Sequence, residues 1–357
     1  MTVNISANWP LSSTINQLSS PKLSDVSDKI RELFEVINMS VLTCVISMLG
    51  IVSNIINIVV FYKQGMKSTV NISFMALSIT DLINVLLMVW VSISSFLALN
   101  SSSDIVINPK EVNYLTGGFS HGCLARIIAW ITVYMTAERC LCIAMPLKVK
   151  RFLTPRRTLL VMITIYLHIV GPMTLEYMYF NLGWKFSPQF NKSVVGLVVS
   201  VDNNQLDEVS FILMSVLMMS PFTLVIFLTI TLIVQLRKMS RWRTLSISKE
   251  NQFNRLSLKD RMAIRTVLVI ASVLILTFTP GLILCAMCFM VPGFGINGRL
   301  RNLFIVVSSI VYVFEATNAS INMVLYYKMH SSYRQTLQTY LSCSSRSQVS
   351  QGNTFVC

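Results

Sequence analysis

Charged side chains are scarce in this chain. Of its 357 residues only 12% are Asp, Glu, Lys or Arg, whereas 54% are hydrophobic. Soluble domains carry about 25% charged residues, so the composition excludes an ordinary soluble globular protein. The apolar residues fall into runs long enough for helices to cross a bilayer core of about 30 Å. There are seven such runs, near residues 37–62, 71–98, 114–145, 158–180, 209–236, 262–291 and 302–327.

Strand-like alternation is also lacking. None of the runs alternates apolar with polar residues, as barrel strands of about ten residues do. Because every backbone group must be paired inside lipid, helices are the remaining choice. The polar start "MTVNISANWPLSSTINQLSS" has no basic and apolar signal peptide, so we expect the first helix to direct its own insertion. The sequence thus predicts an all-α membrane protein, a seven-transmembrane helix bundle.

Catalytic and metal-binding patterns are missing as well. The three histidines, His121, His168 and His330, lie in separate segments, and no HExxH, Ser-His-Asp set or phosphate-binding glycine loop is present. Cys285 and Cys288 have CxxC spacing inside an apolar run, where small apolar packing is the favoured interpretation. We therefore predict no enzymatic activity, no cofactor and no metal site.

The distribution of basic residues predicts how the bundle sits in the membrane. Most of the net charge of +14 comes from segments that face one side when the spans alternate. The positive-inside rule then places the N-terminus outside and the C-terminus in the cytoplasm. Basic residues placed in this way suit anionic membrane lipid, and we predict no nucleic-acid partner. The glycosylation sequons at Asn4, Asn100 and Asn191 fall on the outside in this orientation.

A few charged side chains lie inside the apolar runs. Such residues usually mark function, because a charge within the membrane is costly. They are Asp81, Arg126, Glu138, Arg139, Glu176 and Glu315. Pro221 and Pro280 interrupt two runs, where proline removes a backbone hydrogen bond and kinks a helix. A bundle that rearranges between two packings needs features of this kind.

Six short motifs resemble those of the rhodopsin-like (class A) G-protein-coupled receptors, in the right order and in the right helices. They are "GIVSNIINIVVF", "NISFMALSITDL", "ERCLCIAMPLK", "TFTP", "NASINMVLYY" and "SSYRQTL". The resemblance covers nearly all of residues 36–345 and implies a divergent receptor, of an invertebrate chemosensory or peptide branch. It implies a polar core formed by Asn54, Asp81 and Asn318.

The resemblance also implies a switch at the cytoplasmic side. Arg139 would end helix three, with Glu138 neutralising it at rest and Asp260 of helix six facing it. Asn322 and Tyr326 hold the matching places in helix seven. Opening of helix six would then free Arg139 to contact a heterotrimeric G protein.

Further residues follow from the same resemblance. Pro221 and Pro280 match the prolines of helices five and six, and Phe278 takes the place of the aromatic toggle. Cys343 lies where a palmitoyl group is often attached, after a short amphipathic eighth helix. Serines in the tail "SCSSRSQVSQGNTFVC" suggest a receptor kinase and arrestin as partners at the plasma membrane.

The chain departs from the receptor pattern in several places. Tyr114 stands where helix three normally carries a cysteine, and residues 181–206 contain no cysteine to pair with one. Losing a disulfide typically costs about 2–5 kcal/mol, so we expect a mobile outer loop. Met323 replaces the proline of helix seven, and "VMITIYL" in helix four lacks the usual tryptophan.

The candidate ligand pocket lies in the outer half of the bundle. His121 occupies the position of the amine-binding aspartate, which argues against an aminergic receptor, and residues 302–327 contain no lysine for retinal. Arg126 and Glu315 lie at mid-membrane depth and leave three interpretations open: a pair with each other, charges offered to a ligand, or contact with lipid. With His121, Tyr312 and an aromatic floor at Phe278, they suit a peptide or a zwitterionic small molecule.

The expected domain organisation follows the spans. Residues 1–35 should form a disordered extracellular tail with room for one short helix at "SDVSDKIRELFEVI", 36–328 the bundle, 329–341 the eighth helix and 342–357 a disordered cytoplasmic tail. The alternative function is a seven-span transporter or channel. Transporters often carry internal repeats, and the sequence shows none.

Overall fold

The computed structural model describes residues 26–99, 106–145, 148–187, 192–199, 204–245, 258–295 and 298–350. Eight helices and one β-hairpin account for most of them. The helices are α1 (Asp28–Gln64), α2 (Thr69–Leu99), α3 (Pro109–Ala144), α4 (Pro155–Tyr179), α5 (Asn204–Leu245), α6 (Leu258–Met290), α7 (Arg301–Met329) and α8 (Ser331–Ser350). The strands are β1 (Phe180–Ser187) and β2 (Lys192–Val199), and one further turn of helix lies at Val149–Phe152.

Within the described ranges, seven helices are long and apolar enough to cross a membrane. They are α1 to α7, which confirms the predicted seven-transmembrane bundle. Large apolar side chains cover its outer surface, including Leu167 at 68% exposure and Leu276 at 68% exposure. Buried polar side chains instead lie between the helices, as expected where lipid replaces water as the solvent. We call the two ends of the bundle the hairpin end, where α3 begins, and the Arg139 end, where α3 finishes.

Helix α1 begins earlier than the sequence suggests. It starts at Asp28, inside the segment 1–35, where one short helix at "SDVSDKIRELFEVI" is allowed within a disordered tail, and it contains a π-helical stretch at Glu35–Leu42. Glu35 is 6% exposed and accepts from both Arg31 at 3.0 Å and Lys110 at 3.1 Å. The Arg31 pair lies within α1, whereas the Lys110 pair joins the first turns of α1 to the start of α3.

Close approach of α1 to α7 depends on a glycine. A Cβ at Gly50 would clash with the hydroxyl of Ser320 and lie 2.9 Å from Val85. The Ser320 hydroxyl donates to the carbonyl of Ile46 at 3.0 Å. Small residues that let backbones approach are a common basis of helix packing in membranes.

The hairpin is anchored to α3 rather than left loose. Leu197 donates its backbone N–H to Glu111 Oε2 at 2.8 Å, and Lys185 Nζ lies 2.7 Å from the same oxygen. Val195 forms two backbone bonds of 2.8 Å with the segment 106–108 that precedes α3. Polar contacts thus hold the hairpin where the receptor pattern has a disulfide, and the mobility of the outer loop stays a prediction.

Helix α8 packs against the bundle at the Arg139 end. The Tyr333 hydroxyl, fully buried, donates to Asn57 Oδ1 of α1 at 2.6 Å. Burial raises the pKa of the Tyr333 phenol, so it stays protonated and acts as a donor. Lys63 Nζ of α1 lies 3.8 Å from the centre of the Tyr340 ring. The helix continues to Ser350, past residue 341, where the sequence prediction ended it.

Candidate ligand and signalling sites

A small cavity opens between α3, α5, α6 and α7. Its volume is about 90 Å³. Two charged side chains, Arg126 and Glu315, line it, and Phe278 lies among its apolar walls. The remaining lining residues are Gly122, Ala125, Ala129, Met218, Phe222 and Leu282. Three of the five predicted pocket residues thus meet at one cavity.

The other two predicted pocket residues form a polar cluster beside the cavity. His121 Nε2 lies 2.5 Å from Glu315 Oε2, and its Nδ1 lies 2.7 Å from Asn84 Oδ1. Tyr312 stacks on the imidazole with ring centres 5.2 Å apart. Both ring nitrogens face oxygen atoms, so both bonds are made when both nitrogens carry hydrogen. Only in that doubly protonated form do His121 and Glu315 make an ion pair; with one ring hydrogen the contact is a hydrogen bond.

This arrangement corrects one interpretation of the mid-membrane charges. A direct pair between Arg126 and Glu315 was the first of the three, but the carboxylate of Glu315 is held by His121. Arg126 instead donates from Nε to the backbone carbonyl of Met214 in α5 at 3.2 Å. The two charges remain neighbours on one cavity wall while each contacts a different helix.

Below the cavity, buried amides connect α7 to three other helices. Asn322 Nδ2 donates to Asp81 Oδ2 of α2 at 2.7 Å. Asn54 of α1 donates to the carbonyl of Ala319 at 2.8 Å. Asn318 accepts from the Thr277 hydroxyl of α6 at 3.2 Å. The hydrogen bonds of the three predicted core residues therefore go to other partners, and each of these bonds lies at a separate helix junction with α7.

At the Arg139 end, α3 carries a buried ion pair. Arg139 Nη2 lies 2.8 Å from Glu138 Oε1, and the two side chains are 3% and 2% exposed. The atoms are close but out of hydrogen-bond alignment, so this is an ion pair held by charge and burial. Next to it, Cys140 packs with Leu232 of α5 and Ile264 of α6. The Arg139 end is therefore closed by α5 and α6.

Tyr326 joins this end to an aromatic cluster. Its ring lies 5.0 Å from Phe61, 4.8 Å from Phe74 and 5.6 Å from Tyr333, centre to centre. The cluster ties α7 to α1, α2 and α8, so a displacement of Tyr326 would disturb three neighbours together.

For the remaining predicted residues, the structure describes the backbone position alone or nothing. Pro221 and Pro280 lie inside the continuous helices α5 and α6. Asp260 lies in the first turn of α6 and Cys343 in α8, and their side chains are outside the description. The sequons at Asn4, Asn100 and Asn191 also lie outside the described residues.

Two polar residues near these sites, Asn84 and Tyr166, were not among the predicted residues. Asn84 lies one helical turn after Asp81, so the same face of α2 could have suggested it. Tyr166 contacts Thr80 through its hydroxyl at 2.5 Å, linking α4 to α2 in a helix that lacks the usual tryptophan. A tyrosine in an apolar run gives no pattern that identifies such a partner.

Comparison with known proteins identifies the family of this bundle. The family described as serpentine type 7TM GPCR chemoreceptor Srw matches residues 41–344. Comparison with curated proteins gives no significant match. The family match confirms the predictions of a G-protein-coupled receptor and of a chemosensory type, and a chemoreceptor family is not an enzyme family. The chain belongs to the Srw family of serpentine seven-transmembrane G-protein-coupled chemoreceptors.

Proposed function

We propose that this receptor detects an extracellular chemical or peptide at the hairpin end and activates a heterotrimeric G protein at the Arg139 end. The observation that carries the proposal is the buried ion pair of Glu138 and Arg139, 2.8 Å apart at the end of α3. A charge pair so poorly exposed stays out of water only while the helices around it stay closed. Opening that end would hydrate Arg139 and present it to a partner.

Polar residues on one face of α7 support a coupling between the cavity and the ion pair at the Arg139 end. Glu315, Asn318, Asn322 and Tyr326 follow each other at helical spacings of three and four, so they share a face. Each contacts a different neighbour: His121, Thr277, Asp81 and the aromatic cluster. A ligand that disturbs the first contact therefore acts on the helix that carries the others.

The proposed receptor type, orientation and cytoplasmic partners follow from the sequence. The switch belongs to the rhodopsin-like type, the hairpin end faces outside, and α8 lies along the cytoplasmic leaflet of the plasma membrane with Cys343 as a lipidation site. Asp260 would face Arg139 across the closed end, and tail serines would recruit a receptor kinase and arrestin. The basic residues of the Arg139 end support this orientation, because cytoplasmic segments carry the positive excess.

The test replaces Arg139 by alanine and measures nucleotide exchange on a promiscuous G protein. Loss of both ligand-free and ligand-driven exchange is expected, because the cation that contacts the G protein is removed. Arg156→Ala, which changes an exposed arginine of α4, is the matched control at equal surface expression. Glu138→Gln should raise ligand-free exchange, since the arginine loses its counter-charge. Exchange that persists unchanged in Arg139→Ala would contradict the proposal.

A further inference from the structure

We propose that two copies of this receptor associate through the lipid-facing side of α4, where His168 of each copy bonds to Thr164 of the other. The surface lies outside the cavity and the Arg139 end, so the inference does not depend on the proposed function. It follows from a polar side chain that a single bundle leaves facing hydrocarbon.

His168 lies on the outer side of the bundle. It is close to the middle of the 25-residue helix α4 and is exposed, as are Ile163 at 48% and Leu167 at 68% beside it. Its ring packs against Trp130 of α3 at 89°, with centres 5.9 Å apart, and no hydrogen bond from a described residue reaches it. Every form of an imidazole carries at least one N–H, and a donor facing hydrocarbon is costly. The side chain therefore needs an acceptor from outside this copy.

Thr164 is a matching acceptor one turn away. Its hydroxyl donates to the carbonyl of Leu160 at 2.9 Å, so its oxygen is still able to accept. Residues 164 and 168 are four positions apart and share a face of α4. In a two-fold interface every contact between two residues is repeated in reverse. Two parallel copies of α4 that cross near these residues therefore form two equal hydrogen bonds, each from His168 of one copy to Thr164 of the other.

Gly171 allows the two helices to approach. It lies one turn beyond His168 on the same face, and a Cβ at this position would meet nothing within 4 Å in a single copy. Small residues let helix backbones pack closely in membranes, where lipid is as apolar as the protein. Among the seven described spans α4 is also the least covered, since 22% of its apolar window is buried, compared with 28% to 61% in the others. The face is therefore open to a second helix.

A second copy fits this face better than lipid does. Acyl chains offer no hydrogen-bond acceptor at mid-span, and the hydroxyl of a sterol is held by water at the membrane surface. A second copy in the same orientation brings Thr164 to the depth of His168 by symmetry. The chemistry of the face is thus complementary to itself.

The experiment measures resonance energy transfer between full-length receptors, labelled at the C-terminus, in sterol-free phosphatidylcholine vesicles. Donor and acceptor copies are mixed in equal amounts and diluted with lipid. Transfer should follow a dimer isotherm and exceed the level of random encounters. His168→Leu and Thr164→Val should each raise the dissociation constant, expressed as a mole fraction in lipid, by roughly tenfold, because each removes both symmetric bonds.

Further variants identify the bond and the face. The double variant of His168 and Thr164 should be no weaker than either single one, since both remove the same bonds. His168→Gln keeps an N–H donor and should associate like the parent. Gly171→Leu should weaken association, because its side chain fills the space that the second helix needs. Thr223→Val on α5 is the matched control: this exposed threonine also donates to a carbonyl one turn back, that of Met219 at 3.0 Å, and its loss should change nothing.

Two outcomes would overturn the inference. One is energy transfer at the random level at every dilution, and a photoreactive cholesterol that then labels α4 would assign the face to a sterol. The other is association that His168→Leu, Thr164→Val and Gly171→Leu all leave unchanged. The melting temperature of each variant in detergent shows whether it folds. If His168→Leu does not, Thr164→Val and Gly171→Leu decide.

Discussion

His121 joins three helices through one ring. Its nitrogens contact Asn84 of α2 and Glu315 of α7, while its own backbone belongs to α3. Removing one partner of a buried ion pair leaves an uncompensated charge, which costs about 3–5 kcal/mol. At the residue scale, the junction of α2, α3 and α7 therefore depends on this one ring.

Separate and joint removal of His121 and Glu315 tests this dependence. Glu315→Gln and His121→Gln should each lower the melting temperature of the purified receptor by several degrees. The double variant should lose less than the sum, because no charge is then stranded. Glu32→Gln, whose side chain is 56% exposed, is the control. Strictly additive losses would show that the two residues do not act as a pair.

The sequence identified most residues of this region without their partners. Arg126, Glu315 and His121 stand out because charges are rare in apolar runs. Which of them meet depends on the rotation of each helix about its axis. Lipid-facing positions are as apolar as core positions, so periodicity does not reveal that rotation. The choice of His121 over Arg126 as partner of Glu315 could therefore come only from the structure.

At the scale of elements, the hairpin and α3 form one unit. Glu111 accepts from Lys185 and from the backbone of Leu197, and Gly196 leaves room for its carboxylate. A Cβ at Gly196 would clash with Glu111 Oε2 and lie 2.9 Å from Lys185 Cε. The tether thus needs both a carboxylate on α3 and a glycine on β2.

Loss of either part should loosen the hairpin. Glu111→Gln and Gly196→Ala are expected to speed amide hydrogen exchange across β1 and β2 by roughly tenfold, as for about 1.4 kcal/mol of lost stability. Exchange in α2 should stay unchanged in both variants. Lys29→Gln changes an exposed charge outside the hairpin and is the control. Protection that survives in both variants would rule out the tether.

Helix α6 is held at the Arg139 end by apolar packing. Ile264, 3% exposed, lies against Leu232, which is fully buried, and Cys140. Ile264→Ala should weaken the closed state, and each 1.4 kcal/mol lost raises the open population about tenfold. Ligand-free nucleotide exchange at equal surface expression should therefore rise. Leu276→Ala, on the lipid-facing side of α6, should leave it unchanged; a rise in both variants would point to general destabilisation.

For the whole molecule, the basic residues predict one orientation. Epitope tags at the two termini, probed on intact and permeabilised cells, test it directly. The N-terminal tag should bind antibody on intact cells and the C-terminal tag only after permeabilisation. Asn4→Gln should in addition remove a glycan and increase gel mobility. A C-terminal tag exposed on intact cells would reverse the assignment of both sites.

The number and order of the spans were predictable because length and hydropathy alone decide them. The start of the first helix shows where prediction from length and hydropathy fails. Its start at Asp28 is stabilised by Lys110, which lies on another helix, and no local pattern encodes that contact. The hairpin was missed for a related reason, since its order depends on Glu111 far along the chain.

The tether at Glu111 has a practical consequence for handling the receptor. The hairpin end is fastened by charge and main-chain bonds, and its described segments 106–118, 180–187 and 192–199 carry no cysteine, so dithiothreitol should leave these contacts intact throughout purification. Concentrated salt screens ionic contacts at such partly exposed positions. Buffers chosen to protect thiols are thus compatible with this receptor, whereas high-salt washes are the step to avoid.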